Sequence, residues 1–340
     1  MASINVKDVA ALAGVSIGTV SNVLNRPEKV SEQSARRVQD AIKKLGYVRN
    51  DAARQLRAGR SRSIGLIVLD AGNPFFSDLA RGAETTAAAH GLVVLLGNSA
   101  DDPVREAGYL DLFEQQRVSG VLISPIGSSL TRLERMNDRG IPVVLVDRDS
   151  RSPAISSVSV DDVSGGRLAV EHLLSLGRTR IAFLGGPQSI RQVADRLAGA
   201  REAVSKAPGA SLEVIDTEFL SVIGGRNAGS AIAERAPGNR PDGLFCANDL
   251  LAIGVLQALV LLGDVRVPGD MALIGYDDIH FASVAVIPLS SIRQPSGLLG
   301  ATALDVLLER STGTAPTQPR SIVYQPELIV RASTVPSASP

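Results

Sequence analysis

The feature that most constrains the fold is a repeated alternation of short apolar runs and helical stretches from residue 63 onward. The first run, IGLIVL (64–69), is nearly continuous, as in strands that are buried on both faces. A helical stretch (78–90) and a second apolar run (92–96) follow, and the alternation continues through residue 146. A second series with the same alternation begins near Asp161 and extends to residue 274. This pattern predicts two α/β subdomains, each built on a parallel sheet, with a cleft between them.

Three later runs, 289–293, 301–309 and 322–330, could return the chain to complete both sheets. We therefore expect an N-terminal core subdomain of residues 63–160 plus 292–322. The C-terminal core subdomain would comprise residues 161–291 plus 323–332. The last segment, 333–340 (STVPSASP), has the composition of a disordered tail.

Residues 1–48 predict a separate all-α head of three short helices. Asn5 is a good N-cap, and Asp8 adds an acidic group to the first turn. Gly14 suits the end of the first helix, whereas Ser16 and Ser31 suit the starts of the second and third. Two short helices joined by a small-residue turn indicate a helix-turn-helix unit.

The second helix of such a unit enters the DNA major groove. In the first helix, Val9, Leu12 and Ala13 should share the buried face. The alternative is a plain three-helix start to a larger domain. Charge favours the DNA-binding interpretation, because residues 1–62 hold 12 basic and 5 acidic residues and the remainder holds 23 and 30.

The basic segment 49–62 links the head to the core. It is helix-compatible from Asn50 to Ala58, but a helix of this length is marginal in water. One interpretation is a flexible linker. The other is a hinge helix that becomes ordered when DNA neutralises and packs against it.

Several classes of protein are disfavoured. The single cysteine, Cys246, lies in an apolar run and is expected to be a buried small side chain rather than a reactive thiol. No signal sequence precedes the head and no apolar run approaches 18 residues, so we expect a cytoplasmic protein without membrane contact. The three histidines are scattered, and no nucleotide fingerprint or nucleophile–base pair occurs. We therefore predict no catalytic residues, no metal and no cofactor.

Six segments carry a family resemblance: DVAALAGVSIGTVSNVLN, NDAARQLRAGRS, VEHLLSLG, DRLAGAREA, CANDLLAIG and ALIGYDD. Together, in this order, they resemble the lactose-repressor/galactose-repressor (LacI/GalR) family over residues 4–330. The resemblance implies a helix-turn-helix head, a hinge helix and a core like that of periplasmic sugar-binding proteins.

The resemblance also implies DNA contacts. Ile17, Gly18 and Asn22 stand where the second helix reads base edges, and an asparagine can pair with adenine through two hydrogen bonds. Many relatives carry Arg at the Asn22 position, so the bases read at each half-site stay open. Leu56 matches a hinge leucine that wedges into the minor groove, although it could instead pack only on a second copy. The remaining candidates, mostly for phosphate contacts, are Ser16, Thr19, Ser21, Asn25, Ser31, Tyr47 and the hinge residue Arg57.

Effector contacts are expected at the carboxyl ends of strands, where ligands bind in open α/β sheets. Three of the chain's 11 aromatic residues fall in such loops and could stack on a ligand or simply fill the core: Phe75, Phe76 and Phe219. The resemblance adds polar candidates, which could also be caps or ion-pair partners: Arg196, Asn248 and Asp277 match positions that hydrogen-bond the effector in the family, and Asp147 and Gln192 match less closely. Such a set suits a polyhydroxylated ligand.

The leading hypothesis is a homodimeric repressor that binds an inverted-repeat operator in double-stranded DNA and responds to a sugar. A purine-responsive repressor of the same architecture is the alternative. A transport-type binding protein or an α/β enzyme is a more remote alternative. Whether the ligand releases DNA or promotes its binding is left open, and the lack of a heptad-rich C-terminal segment favours a dimer over a tetramer.

Overall fold

The structure is a computed structural model that describes residues 4–47, 61–127, 130–150, 152–262, 265–312 and 318–335. The chain divides into two compact units, Met1–Arg60 and Ser61–Pro340. Most of the predicted hinge (49–62), including Leu56 and Arg57, lies outside the described residues.

The first unit is a three-helix head, with α1 (Val6–Ala13), α2 (Ile17–Asn25), α3 (Glu32–Leu45) and a 3₁₀ turn at Pro27–Lys29. The predicted caps are confirmed. The Asn5 side chain accepts a hydrogen bond from the Lys7 amide, and the Asn5 amide donates one to Asp8, both at 2.8 Å. Gly14 ends α1 with a φ of 62°.

The expectation that Leu12 is buried was wrong, because its exposed fraction is 45%. The buried stripe of α1 passes through Val9, Ala10 and Ala13. At 100° per residue, Ala10 and Ala13 both lie on one side of Val9, and Leu12 lies on the other. The small alanines therefore decide which side of the helix faces the core.

The second unit contains twelve strands among its described residues. They are β1 (Ser63–Val68), β2 (Val93–Asn98), β3 (Val121–Ile123), β4 (Val143–Val146), β5 (Ser156–Val160), β6 (Arg180–Leu184), β7 (Ser211–Ile215), β8 (Gly243–Cys246), β9 (Ala272–Asp277), β10 (Ser290–Arg293), β11 (Ser321–Tyr324) and β12 (Glu327–Ile329). The helices are α4 (Pro74–Ala89), α5 (Pro103–Gln115), α6 (Thr131–Asp138), α7 (Asp162–Ser175), α8 (Arg191–Ser205), α9 (Val222–Ala233), α10 (Asp249–Leu262), α11 (His280–Ser283) and α12 (Ser296–Thr312), with a 3₁₀ turn at Pro237–Asn239.

These strands form two six-stranded sheets, as the alternation predicts. The first has the order β11–β5–β4–β3–β1–β2 and is wholly parallel. The second has the order β12–β10–β9–β8–β6–β7 and is parallel except for the β10–β12 pair. Strand β5 (SSVSV) has no predicted counterpart, because its serines broke the apolar run even though the whole strand is buried.

The chain passes between the two sheets after β5, after β10 and between β11 and β12. Two expected boundaries need correction. Residues 292–293 belong to the second sheet, where Arg293 pairs with Asp277 and Glu327. Residues 323–324 belong to the first sheet, where Tyr324 pairs with Val160.

The predicted tail (333–340) also needs correction at its start. Ser333 and Thr334 are buried, with exposed fractions of 0% and 2%. The Ser333 hydroxyl donates a hydrogen bond to the Leu273 carbonyl at 2.6 Å and accepts one from the Ser290 amide at 2.8 Å. These two residues therefore belong to the second subdomain.

Two pairs of helices in the second subdomain pack closely at glycines. A Cβ atom on Gly166 in α7 would lie 2.0 Å from the carbonyl oxygen of Arg196 in α8. A Cβ on Gly254 in α10 would lie 2.0 Å from the carbonyl oxygen of Val222 in α9. Only glycine permits such an approach, so Gly166 fixes the depth at which α8 carries Arg196. None of the described helices is long and apolar enough to cross a membrane.

Candidate functional site

A cavity of about 330 Å³ lies between the two sheets. The loops after β1, β2 and β4 line it from the first subdomain, and those after β6, β7, β8 and β9 line it from the second. The carboxyl ends of both sheets therefore meet at one site. All eight predicted effector residues line this cavity: Phe75, Phe76, Asp147, Gln192, Arg196, Phe219, Asn248 and Asp277.

Arg196 is the central cation of the site and is almost fully buried, with an exposed fraction of 5%. Its Nε donates to Asp162 Oδ1 and its Nη1 to the Ala247 carbonyl, both at 2.7 Å. The guanidinium lies 3.7 Å from the centre of the Tyr276 ring and 3.9 Å from Asp277 Oδ1. Although burial alone would lower the pKa of Arg196, the surrounding acidic groups raise it above the usual value. The guanidinium is thus oriented and its charge is already compensated.

Asp147 joins the two subdomains. Gln192 Nε2 donates to Asp147 Oδ2 at 2.8 Å and to the Asp147 carbonyl at 2.7 Å. The other carboxylate oxygen, Oδ1, is buried and has no hydrogen-bond partner among the described residues. Burial, and then the charge of Asp162, hold the pKa of Asp147 well above its usual range. A free buried acceptor in a cavity wall is suited to a ligand hydroxyl.

Asp277 forms the second link across the cleft. Asn73 Nδ2, from the loop after β1, donates to Asp277 Oδ2 at 3.0 Å. Gln294 Nε2, from the segment that leads back to the first sheet, donates to Oδ1 at 2.8 Å. Burial raises the pKa of Asp277, whereas Arg196 and the two amides act in the opposite direction. The backbone of Asp277 has a φ of 105°, so the surrounding bonds hold a strained residue.

The aromatic candidates differ in their environments. Phe75 and Phe76 are buried and meet edge to face, with ring centres 5.0 Å apart. Phe219 is 61% exposed at the rim of the cavity. Asn248 is a cap as well as a lining residue, because its Oδ1 accepts from the Leu251 amide at 2.9 Å at the start of α10.

Four polar lining residues were missed from the sequence: Asp70, Asn73, Asp101 and Ser221. Asp70 and Asn73 come soon after the first apolar run, and Asp101 follows the second. The strand-end rule that selected Phe75 and Asp147 therefore applied to them too. Among the described residues no group of three or more His, Cys, Asp or Glu side chains could hold a metal ion.

In the head, α2 carries most of the predicted DNA contacts. Ile17 is 46% exposed, and Gly18 and Asn22 are exposed as well. Ser16 caps α2 by accepting from the Thr19 amide at 3.1 Å. Asn25 Nδ2 donates to the Ser21 carbonyl at 2.8 Å. Ser31 caps α3, and Tyr47 packs against the head's core. The residues expected to contact bases are therefore exposed, whereas several candidates for phosphate contacts also cap a helix or bond to its backbone.

Two family profiles match the chain. One is described as "Bacterial regulatory proteins, lacI family" and covers residues 5–50; the other, "Periplasmic binding protein-like domain", covers residues 170–334. The ribose operon repressor of Escherichia coli (strain K12) is 36% identical over 332 residues, which are 96% of this chain and 98% of that protein. The transcriptional repressor PurR of Photobacterium profundum is 33% identical over 334 residues, with coverages of 96% and 98%.

A solved structure of the Lac repressor dimer, bound to operator and to the anti-inducer ONPF, is similar over the same length. It is 29% identical with a TM-score of 0.82, and the match covers 98% of this chain and 99% of that one. The likeness thus includes both the head and the two-subdomain core.

Proposed function

Because this chain belongs to the LacI family of DNA-binding transcriptional regulators, we propose that it is a homodimeric repressor whose operator affinity is set by a small neutral monosaccharide bound in the cavity. One observation carries the proposal. The eight side chains selected for effector binding from separate parts of the sequence surround a single cavity between the subdomains.

The chemistry of the cavity favours a neutral polyol. Its buried carboxyl groups, Asp147 and Asp277, can accept hydrogen bonds from the hydroxyl donors of a sugar. Arg196 offers donors, but its charge is already opposed by Asp162 and Asp277, so little positive charge is left for a phosphate. A volume of about 330 Å³ is at the small end for ligand pockets and suits one sugar ring better than two.

A ligand in this position would contact both subdomains and bias the angle between them. The Asp147–Gln192 and Asn73–Asp277 bonds already cross the cleft, so a ligand would add to or exchange with contacts of the same kind. We propose that this angle is transmitted to the hinge segment (49–62) and there to Leu56 and Arg57 in the minor groove. Whether the ligand weakens or strengthens operator binding depends on which angle between the subdomains it prefers.

We propose that the partner in the dimer is a second copy of this chain. The edge strand β2 leaves Val93, Leu95 and Leu96 exposed by 55%, 39% and 48%. An apolar sheet edge of this kind is rarely left uncovered. In the second subdomain, the end of α10 exposes Leu261 by 77%.

Sedimentation velocity tests the dimer. Leu261→Glu should shift the protein towards monomer, whereas Leu298→Glu, at an exposed position on α12, should not. A monomeric wild type at micromolar concentration would contradict the proposal.

The effector is tested by a thermal-unfolding screen with neutral mono- and disaccharides, sugar phosphates and purines. A ligand that binds only the folded state adds about 2.7 kcal/mol at a hundred times its dissociation constant. Asp147→Asn is the matched control, because it keeps the size of the side chain but replaces the free carboxylate oxygen. The neutral-sugar hit should shift wild type and shift the variant less.

The hit is then added to a titration of operator DNA that has been selected in vitro with the full chain. An inverted repeat should emerge, and the sugar should change the affinity for it. A shift only with purines would favour the purine-responsive alternative. Chemical turnover of the bound sugar would contradict a purely regulatory core.

A further inference from the structure

Asp70 and Asp101 meet at the mouth of the cavity because neighbouring strands carry them. Asp70 follows β1 and Asp101 follows β2, and these strands are paired in parallel. The side chain of Asn98 ties the two loops together, since its Oδ1 accepts from the Ala71 amide at 3.3 Å and from the Ala100 amide at 3.2 Å. Asp101 itself has a φ of 55°, in the left-handed region. The loop is thus folded in a way that holds the second carboxylate beside the first.

Neither carboxylate is neutralised. Within the described residues, no Lys or Arg forms an ion pair with Asp70 or Asp101, and the Asp70 carboxylate accepts a hydrogen bond from the neutral Gly72 amide at 2.8 Å. Partial desolvation and the charge of Asp70 raise the pKa of Asp101 to about 6. The charge of Asp70 contributes to this shift because two neighbouring carboxylates repel each other.

The interior of the cavity offers no counter-charge. Among the described residues that line it, Arg196 is the one cation, and it is already bonded to Asp162. The inner wall instead presents the free Oδ1 atom of Asp147, a residue with an exposed fraction of only 3%. The interior therefore supplies no free positive charge to an anionic ligand that has passed Asp70 and Asp101.

We infer that Asp70 and Asp101 form a charge filter that selects neutral sugars over their anionic derivatives, such as sugar phosphates and uronic acids. The inference rests on the proposed function, since it concerns which ligands the same cavity takes. The two carboxylates repel a phosphate or carboxylate group, whereas a neutral sugar meets no such repulsion. Most of this repulsion should be screened at high salt, because the pair lies at the mouth.

The test compares the full-length wild type with the double variant Asp70→Asn/Asp101→Asn by isothermal titration at pH 7.5 and low salt. The probes are two matched pairs, D-ribose with D-ribose 5-phosphate and D-galactose with D-galacturonate. The control is Asp111→Asn/Asp138→Asn, which makes the same change in net charge on the first subdomain outside the cavity. Asparagine keeps a hydrogen-bonding group, so the neutral sugar should bind within about threefold of wild type.

The filter predicts that the affinity for the anionic member rises by about tenfold or more in the double variant. The affinity for the anionic member should not change in the control. In 0.5 M KCl, the difference in this affinity between wild type and the double variant should become smaller. If wild type binds the neutral sugar and both proteins reject the anion equally, the filter is wrong and the proposed function stands. If wild type already binds the anion as tightly as the neutral sugar, the filter is also wrong.

Wild type could bind neither neutral probe while the double variant gains affinity for an anionic probe. In that case the filter stands, and the proposal of a neutral effector fails for these sugars. Failure of all four probes with both proteins would overturn the filter together with this choice of ligand class.

Discussion

Gly166→Ala tests whether the packing of α7 against α8 sets the position of Arg196. The added Cβ would lie 2.0 Å from the Arg196 carbonyl oxygen and 2.9 Å from its Cα, and ordinary contact begins near 3.4 Å. The two helices must therefore separate by up to about 1.4 Å at this point. Overpacking of this kind costs about 1–3 kcal/mol. It also stretches the 2.7 Å bond between Arg196 on α8 and Asp162 on α7 beyond hydrogen-bonding range unless the side chain adjusts.

We expect the melting temperature to fall by several degrees, at about 2–4 °C per kcal/mol. The affinity for the effector should fall further, by about tenfold to a hundredfold, if a charge-assisted bond is misplaced. Calorimetry and ligand titration measure the two effects. Gly82→Ala is the matched control, because its Cβ would meet the Gly297 carbonyl oxygen at the same 2.0 Å, and neither residue nor its chain neighbours line the cavity. Equal loss of affinity in both variants, or none in Gly166→Ala, would refute the reasoning.

Three other changes have expected outcomes. Asn22→Ala should weaken binding to the selected operator by about 1–3 kcal/mol and leave binding to random DNA nearly unchanged, as measured by fluorescence anisotropy. Asp101 has a raised pKa, so folding stability should fall as pH rises from about 4 to about 6 and stay lower above it. Asp101→Asn should therefore raise the melting temperature at pH 7.5 but not at pH 4, and an equal effect at both would contradict the assignment. Deletion of 333–340 should lower the melting temperature, because Ser333 makes two buried bonds, whereas deletion of 336–340 should spare both bonds.

Local chemistry was predictable from the sequence where it depends on neighbours in the chain. Asn5 caps α1 as expected, and Asp8 completes a capping box. The alternation that was expected to continue through residue 146 ends there in strand β4 (Val143–Val146). The burial of Leu12 was predicted wrongly because two alanines, which carry little hydropathy signal, define the buried side of α1. Strand β5 was missed because its serines interrupt the apolar run. Ser156 is nevertheless accommodated inside the sheet, where its hydroxyl accepts from the Arg320 amide at 3.0 Å.

The location of the site was predictable from the sequence, but only some of the residues that line it were. The strand-end rule and the family resemblance selected residues that do line one cavity. Neither the rule nor the resemblance shows which other polar residues of the same loops point into the cavity, so Asp70, Asn73, Asp101 and Ser221 were missed. The bond between Asn73 and Asp277 joins residues 204 positions apart. Such a contact depends on how two sheets face each other, and no local pattern encodes that.

The polar groups of the cleft indicate which arrangement a ligand should favour. Two hydrogen-bonded pairs already close the cleft around the cavity, and the closed form leaves Asp147 Oδ1 buried without a partner among the described residues. A buried acceptor without a partner costs about 1–3 kcal/mol. In this arrangement, a ligand hydroxyl that donates to the oxygen removes the cost. The effector should therefore bind the closed arrangement preferentially, and its influence on DNA follows from which hinge geometry that arrangement permits.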